Sequence, residues 1–560
     1  MSAIMMLRFA VTLLVLIGLA PAPALAVKFL PDDPLVEDDD RLPIPKPAEV
    51  ELSQGYDFMA NTFFEPGHDQ RTPARNTNTL GEVPDSAWFT NRIGHRPMGI
   101  DELVRGPNQG TGPDTTGPWT ITRSKTQGVT PGFTIADPRG NVYFIKFDPR
   151  DNPQLSTSTE VIVTKFFYAL GYSVPENYLA YIRPEQLAIS PKAKITDEDG
   201  KKRPMQKEDV DRTFRRVPRR PDGSVQVVAS LGLPGQPLGP FLYSGTRSDD
   251  PNDIFPHEMR RELRGLRVFA AWLNHDDSRS INSLDMFVPE GDRGWVKHYL
   301  LDFGSCLGSG STRPQNPRAG NEYIYETKPM IKSALTLGLW DRPWRKVKYP
   351  DYPSLGRFEA DFFRPELWRP EYPNPAFDQM DDADALWATR IVMCFSDDAI
   401  RALVRTGSID DPKAEDYLIR TLIQRRDKTI AHYLQQLTPL TDFALASPGA
   451  ASSGAPAAGD PAPAGSSGLQ FRNLGVEAGL AAGATYRYQW FRFDNDRDSA
   501  EPLGPGASAA SAAIPVPRDG AAFLMARIEL TDPPFVGWKR KVDVYLRNGS
   551  TLAVVGIERE

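Results

Sequence analysis

The sequence predicts an α+β protein: an antiparallel β-sheet layer, then a mainly helical part, then a small all-β domain. Three observations point there. Strand-like alternation of apolar and polar residues is concentrated in residues 119–147. Helical spacing of apolar residues governs 257–273, 383–405 and 414–436, and strand-like runs return after an Ala/Pro/Gly/Ser-rich stretch at 446–468. Strands and helices segregated along a chain give α+β architectures, whereas regular βα alternation gives a parallel sheet.

The elements follow in order. Arg8, the apolar stretch 9–20 and the small residues Ala24-Leu25-Ala26 compose a signal peptide over residues 1–26. Its cleavage predicts a secreted or periplasmic protein with no transmembrane segment. Residues 27–118 combine many turn residues with isolated aromatics, including Phe63, Phe64, Trp88 and Phe89. That is the pattern of an extended segment packed on a core formed elsewhere. Residues 119–122, 133–135 and 142–147 alternate as a three-stranded meander, joined by turns at 128–132 and 137–141. A helix is expected next: Thr157 to Glu160 spells a capping box, Val161, Phe166, Phe167 and Leu170 share a face, and Gly171 is a stop signal. Further strands are expected at 178–182 and 225–229. The Arg-rich stretch between them, with Arg215, Arg216, Arg219 and Arg220, reads as a solvated loop, with phosphate contact as the alternative. A helix over 257–273 leads into Asn274-His275-Asp276-Asp277, and two short strands, 284–288 and 295–301, close on Asp302-Phe303-Gly304. Beyond a Pro-rich stretch come the helices 383–405 and 414–436, the flexible linker, and strands at 486–493, 523–530 and 542–546.

Composition narrows the classes. A chain of 560 residues has room for two or three folding units. Loss of Arg8 with the signal takes the formal charge from -7 to -8, so no nucleic-acid partner is expected. The 52 Pro and 44 Gly indicate many loops. Cys306 and Cys394 are the only cysteines. They leave a disulfide or two free thiols open, and the apolar helical surroundings of Cys394 favour a buried free thiol.

One constellation suits phosphoryl transfer, which needs positioned phosphates, a metal ion that offsets charge and a carboxylate aimed at the attacking hydroxyl. Lys146 lies on the third strand, where a cation reaches the phosphates of a nucleotide beneath the first two strands. Glu160, fourteen residues on, can hold that lysine in an ion pair. The turn from Gly128 to Gly132 can lay backbone N–H groups over phosphates, although Pro131 removes one donor. Asp277 follows the long apolar helix. Asn282 and Asp302 supply hard oxygen ligands for Mg²⁺.

The order of lysine strand, glutamate helix, D-x-x-x-x-N loop, hairpin and D-F-G resembles the protein-kinase-like superfamily. The texture is most similar to its atypical branch of phosphatidylinositol-kinase-like, HipA-type and CotH-like catalytic cores. Leu301-Asp302-Phe303-Gly304-Ser305-Cys306-Leu307-Gly308 is similar to the hydrophobic-D-F-G-x-x-L-G of the lipid kinases. The loop from Asn274 to Asn282 resembles the D-R-H-x-x-N type in having Asp and Asn five apart. The stretch from Glu160 to Pro175 is similar to the E…LGxxxP helix of HipA-type kinases. The resemblance covers residues 119–436.

It implies a two-lobed kinase-like domain over 119–445, with an antiparallel-sheet N-lobe at about 119–240 and a mainly helical C-lobe at about 241–445. The linker 446–468 and the β domain 469–560 follow. It also implies ATP or another nucleoside triphosphate with Mg²⁺ as cofactors, and a protein, lipid or glycan hydroxyl as acceptor. Asp277, Lys146 and Glu160 become the catalytic candidates, Gly128, Gly132 and Lys146 the nucleotide contacts, and Asn282 and Asp302 the metal ligands. Ser278-Arg279 stands where the family carries Arg-His, and Asp276 competes with Asp277 for the role of base.

Plain structural readings stand beside these. Glu160 can serve as the third helical residue of the capping box; Lys146 can be an outward-facing strand lysine, and Asp276 and Asp277 can cap a helix. His275 reads as a loop residue, because the six histidines show no metal-ligand spacing. No G-x-S-x-G elbow supports a hydrolase. Two rival functions remain: a pseudokinase or binding scaffold at the cell surface or in the periplasm, where ATP is scarce, and a β domain that recognises a partner through Trp490, Phe491 and Trp538.

Overall fold

The computed structural model describes residues 27–37, 42–64, 72–124, 131–196, 201–446, 462–463 and 468–560. The expected signal peptide, Gly128 and most of the linker lie outside the described residues. The architecture is mixed α+β, with several sheets.

The meander forms as β1 (Trp119–Ser124), β2 (Gly132–Ala136) and β3 (Val142–Phe147). It is half of a larger sheet, completed by β4 (Asn177–Ile182), β5 (Leu187–Ile189) and β6 (Val225–Leu231) in the order β4-β6-β3-β2-β1-β5. Only the β1–β5 pair is parallel. Period-2 alternation sends Trp119, Ile121, Phe133, Ile135, Tyr143, Ile145 and Phe147 into one apolar face. β3 is therefore central, pinned on both edges by β2 and β6.

A helix, α1 (Leu155–Leu170), follows β3 and is buried over almost its whole length. Phe166 and Phe167 enter the main core beside Trp272, Phe303 and Phe395, each burial contributing about 1.5–3 kcal/mol. Gly171 ends the helix with φ of +121°, and a Cβ there would lie 2.2 Å from the ring of Phe89. Only glycine lets the N-terminal segment pass so close. That segment covers the core with Val83, Trp88, Phe89, Ile93 and Leu103. It also pairs Ile44 with Gly294 and donates from the Val50 amide to Leu238, masking exposed strand edges.

The expected helix at 257–273 is broken. A 3₁₀ turn at His257–Met259 is separated from α2 (Arg261–Leu273) by the extended backbone of Arg260. The expected helix at 383–405 is likewise two helices, α3 (Asp382–Met393) and α4 (Asp397–Arg405), because the Ser396 hydroxyl accepts from the Ala399 amide and starts a new helix. α5 (Pro412–Tyr433) then packs against α3 and α2. Its Arg425 is buried, donates to the carbonyls of Trp272 (2.9 Å) and Glu359 (2.8 Å), and lies 3.6 Å from the ring centre of Phe363. The last carbonyls of α2 are thereby satisfied, which fixes the loop that follows.

Between α2 and Asp302 runs the hairpin β8 (Ser283–Glu290) and β9 (Arg293–Leu300), extended by β7 (Gln236–Gly239). The C-terminal strands share one core with Leu80, Leu440, Phe443 and Leu445, so the strand Leu440–Ala446 packs with them across the expected boundary at 445, and Trp490 and Trp538 are buried in that core. The two tryptophans are therefore structural, and the recognition role weighed for them from the sequence is withdrawn. Cys306 and Cys394 are both free, and Cys394 is exposed, not buried.

Candidate active site

Strand parity sets Lys146. Ile145 and Phe147 point into the apolar face, so Lys146 between them projects from the opposite face. Its Nζ lies 3.0 Å from Glu160 Oε2 and 2.8 Å from Asp302 Oδ1. Burial alone would lower its pKa, but the Asp302 and Glu160 carboxylates outweigh that and hold it above the ordinary lysine range. The outward-facing reading of Lys146 is thus overturned.

The capping-box reading of Glu160 is overturned as well. α1 begins at Leu155, and its first amides are capped from outside the motif: Asp148 Oδ1 accepts from the amides of Ser156 (2.8 Å) and Thr157 (2.9 Å), and Oδ2 from the Thr157 hydroxyl (2.6 Å). Thr157 therefore lies inside the first turn and Glu160 in the second, pointing inward. There its Oε1 accepts from the Phe303 amide (3.1 Å) and its Oε2 from the Gly304 amide (3.0 Å). A Cβ on Gly304 would sit 2.9 Å from Glu160 Oε2 and 2.7 Å from Ser156 Oγ, so any side chain at 304 forces those groups to shift. Glu160 binds strand, helix and D-F-G segment at one point.

Asp302 has φ of +60°, which turns its carboxylate toward Lys146 while Phe303 folds back onto Phe167 at 4.8 Å between ring centres. The amide of Leu307 donates to Leu273 O and that of Leu301 to Asn282 O, both at 2.9 Å. The side chain of Asp302 is 48 % exposed against 2 % for Glu160, so Asp302 is the carboxylate of this group that a ligand can reach.

The loop after α2 is organised by Asn274, whose left-handed backbone ends the helix. Asn282 Nδ2 donates to Asp277 O at 2.8 Å, and Ser305 Oγ lies 3.4 Å from Asp277 Oδ2 and 3.5 Å from Asp302 O. One serine hydroxyl thus separates Asp277 from the D-F-G turn. Arg279 Nε approaches Asp277 Oδ1 at 2.5 Å, and its Nη1 donates to Glu371 Oε2 at 2.6 Å. Burial pushes the Asp277 carboxyl up to about 6, with Glu371 and Asp302 adding to the effect and Arg279 and Asn282 opposing it.

Asp276 is different. It is buried, accepts from Gln315, and is held well above the carboxylate range by burial and by its acidic neighbours Asp277 and Glu371. Asp277, partly exposed beside Ser305, is the better placed of the two to meet a substrate. His275 is buried against Phe167 and Phe303 and pushed down to about 4 by burial, which makes it a neutral packing ring.

The structure therefore gathers Lys146, Glu160 and Asp302 in one group and sets Asp277 and Asn282 beside it. Gly132 is opposite Lys146 in the β2–β3 register, while Gly128 lies outside the described residues. Among the described residues, no group of three or more His, Cys, Asp or Glu is arranged to hold a metal ion. Gln315 and Glu371 were not foreseen from the sequence: they reach the loop from the Pro-rich stretch, which carries no periodic signal.

No family model and no curated protein matches the chain. The crystal structure of a Helicobacter pylori proinflammatory kinase, CtkA, is similar over 58 % of this chain and 96 % of that one, at 14 % sequence identity and a TM-score of 0.32.

Proposed function

We propose that the chain is an atypical, two-lobed, kinase-like phosphotransferase that acts outside the cytoplasm and uses a nucleoside triphosphate, ATP in the first instance, with Mg²⁺. The observation that carries this reading is the chain of ion pairs Glu160–Lys146–Asp302, in which Glu160 also accepts the amides of Phe303 and Gly304. A lysine held between two carboxylates, one sealed and one half-open, suits an anionic ligand that brings its own cation.

Asn282 and Asp302 would hold Mg²⁺ through hard oxygen atoms, and the ion would offset charge on the phosphates. Lys146 places its ammonium on the phosphate oxygens, and Glu160 fixes the direction of that ammonium. Asp277 accepts the proton of the acceptor hydroxyl as its oxygen bonds to the terminal phosphorus, while the bond from that phosphorus to the bridging oxygen breaks and the nucleoside diphosphate departs. A carboxylate titrating at about 6 is ionised at neutral pH and more basic than an ordinary aspartate, as a general base should be.

A second reading, a nucleotide-binding scaffold without transfer, is favoured by one observation: Arg279 occupies Asp277 Oδ1 and is itself tied to Glu371. The test is release or transfer of the terminal phosphate of labelled ATP by the chain from Val27 to Glu560, with Asp277→Asn beside it. Transfer abolished in Asp277→Asn, with nucleotide binding kept, supports the phosphotransferase. Tight binding without turnover in the parent chain, with varied protein, lipid and glycan acceptors, moves the assignment to the scaffold.

A further inference from the structure

Residues 323–353 form an excursion in which no residue is buried. It holds the helix Thr327–Leu335, none of whose side chains packs into a core. Tertiary burial of an apolar face is what ordinarily holds so short a helix, and among the described residues the apolar face of this one stays exposed: Met330 48 %, Ile331 56 % and Leu335 81 %. Met330, Ile331, Ala334 and Leu335, spaced i, i+1, i+4 and i+5, fall on one side. Leu335, Leu337 and Leu339 are each more than 80 % exposed.

Beside this apolar side lies positive charge. Across 323–353 there are six cations, Lys328, Lys332, Arg342, Arg345, Lys346 and Lys348, against three carboxylates, Glu326, Asp341 and Asp351, and Lys346 pairs with Asp341 at 3.1 Å. Trp340 and Trp344 are partly exposed among them, with Lys332 Nζ 4.3 Å from the ring centre of Trp340. The base of the excursion is fixed: Glu322 Oε2 meets Arg342 at 2.7 Å, and Glu322 Oε1 accepts from Trp344 Nε1 at 2.8 Å. The patch continues onto the segment 54–64, where Phe63 packs on Tyr325 at 5.1 Å and Tyr56, Met59 and Phe64 are exposed.

From this we infer that the excursion is a docking surface for an anionic lipid bilayer, which it enters at the interface. Leucines provide the depth, tryptophans suit the headgroup level, and the lysines and arginines meet anionic headgroups. A water-facing loop would have no use for three leucines at that exposure, and a purely apolar partner would have no use for six cations. The helix Thr327–Leu335 has 9 residues, far too few to span a bilayer, so the contact is interfacial. The inference is independent of the phosphotransferase reading, because binding is measured without nucleotide.

The test is co-sedimentation of the chain from Val27 to Glu560, which holds every described residue, with vesicles of phosphatidylcholine alone or of equimolar phosphatidylcholine and phosphatidylglycerol. Two variants accompany it: Leu335→Asp/Leu337→Asp/Leu339→Asp and Lys328→Glu/Lys332→Glu/Lys346→Glu. All six positions are exposed or helix-surface residues, so unchanged thermal midpoints are expected. The parent chain should bind the anionic vesicles, and each variant should bind at least about tenfold more weakly. No sedimentation of the parent, or equal binding by the variants, overturns the inference. Self-association that the leucine variant abolishes, without vesicle binding, also overturns it and makes the patch a contact between copies.

Discussion

Lys146 and Glu160 meet at 3.0 Å although fourteen residues separate them, and Glu160 also accepts from the two amides that follow Asp302. The pair is therefore asymmetric. Lys146 has a second carboxylate that reaches water, whereas Glu160 is sealed and holds four partners, the fourth being Asn177 Nδ2 at 3.5 Å. Replacing Glu160 by Gln should cost about 2–4 kcal/mol of stability, and replacing Lys146 by Met about 1–2 kcal/mol, measured as midpoint shifts at constant slope in urea unfolding. Equal costs would show that Glu160 does not organise the D-F-G turn.

Gly304→Ala probes the same junction sterically. The new Cβ would press on Glu160 Oε2 and Ser156 Oγ, atoms already fixed by Lys146 and by helix α1. A loss of about 1–3 kcal/mol is expected, together with weakened nucleotide binding. A variant as stable as the parent would mean that helix and turn are not in contact as described.

The titration of Asp277 gives a pH signature. Its carboxyl changes from 3.8 when unfolded to about 6 when folded, so the folded chain carries the extra proton in that window. The stability this group contributes is present at low pH and lost as pH rises from about 4 to 6. Asp277→Asn removes that loss, so its stability relative to the parent should be about 2–3 kcal/mol more favourable at pH 8 than at pH 4. Activity should show an acid limb near pH 6. Arg279→Met, which removes the cation holding Asp277 down, should move that limb upward by about one pH unit or more. A pH-independent stability difference would contradict the placement of Asp277.

Arg425 tests how the loop is held. Arg425→Lys keeps the charge but loses the flat fork that donates to Trp272, Ala271 and Glu359 between two phenylalanine rings. Destabilisation of about 3 kcal/mol or more is expected in chemical denaturation, and a cost below about 1 kcal/mol would contradict the cap.

Much of this was legible in the sequence, for local reasons. The alternation of β3 places Lys146 opposite Ile145 and Phe147, and apolar spacing locates α1, α2 and α5. The break at Ser396 inside the expected 383–405 helix was missed, because the apolar spacing runs on through it although Ser-Asp-Asp is itself a helix-start signal. Other features rest on non-local partners. The cap of α1 comes from Asp148, which resembles any loop aspartate after a strand, so the adjacent Thr157–Glu160 pattern drew the assignment instead. Arg260 breaks the helix at 257–273 because its guanidinium is held by Asp253 and lies over the ring of Trp88, a residue far away in the N-terminal segment. Gln315 and Glu371 come from a stretch with no periodicity, and only the folded chain brings them to Asp276 and Arg279.

The most direct measurement is calorimetric titration of the chain from Val27 to Glu560 with ATP, with and without Mg²⁺, beside Asp302→Ala and Lys146→Met. Saturable binding that Mg²⁺ strengthens is expected in the parent. Asp302→Ala should lose the Mg²⁺ dependence, and Lys146→Met should bind at least about tenfold more weakly in either condition. ATP binding that ignores Mg²⁺ and both substitutions, or no binding at all, would contradict a nucleotide site built on Glu160, Lys146 and Asp302.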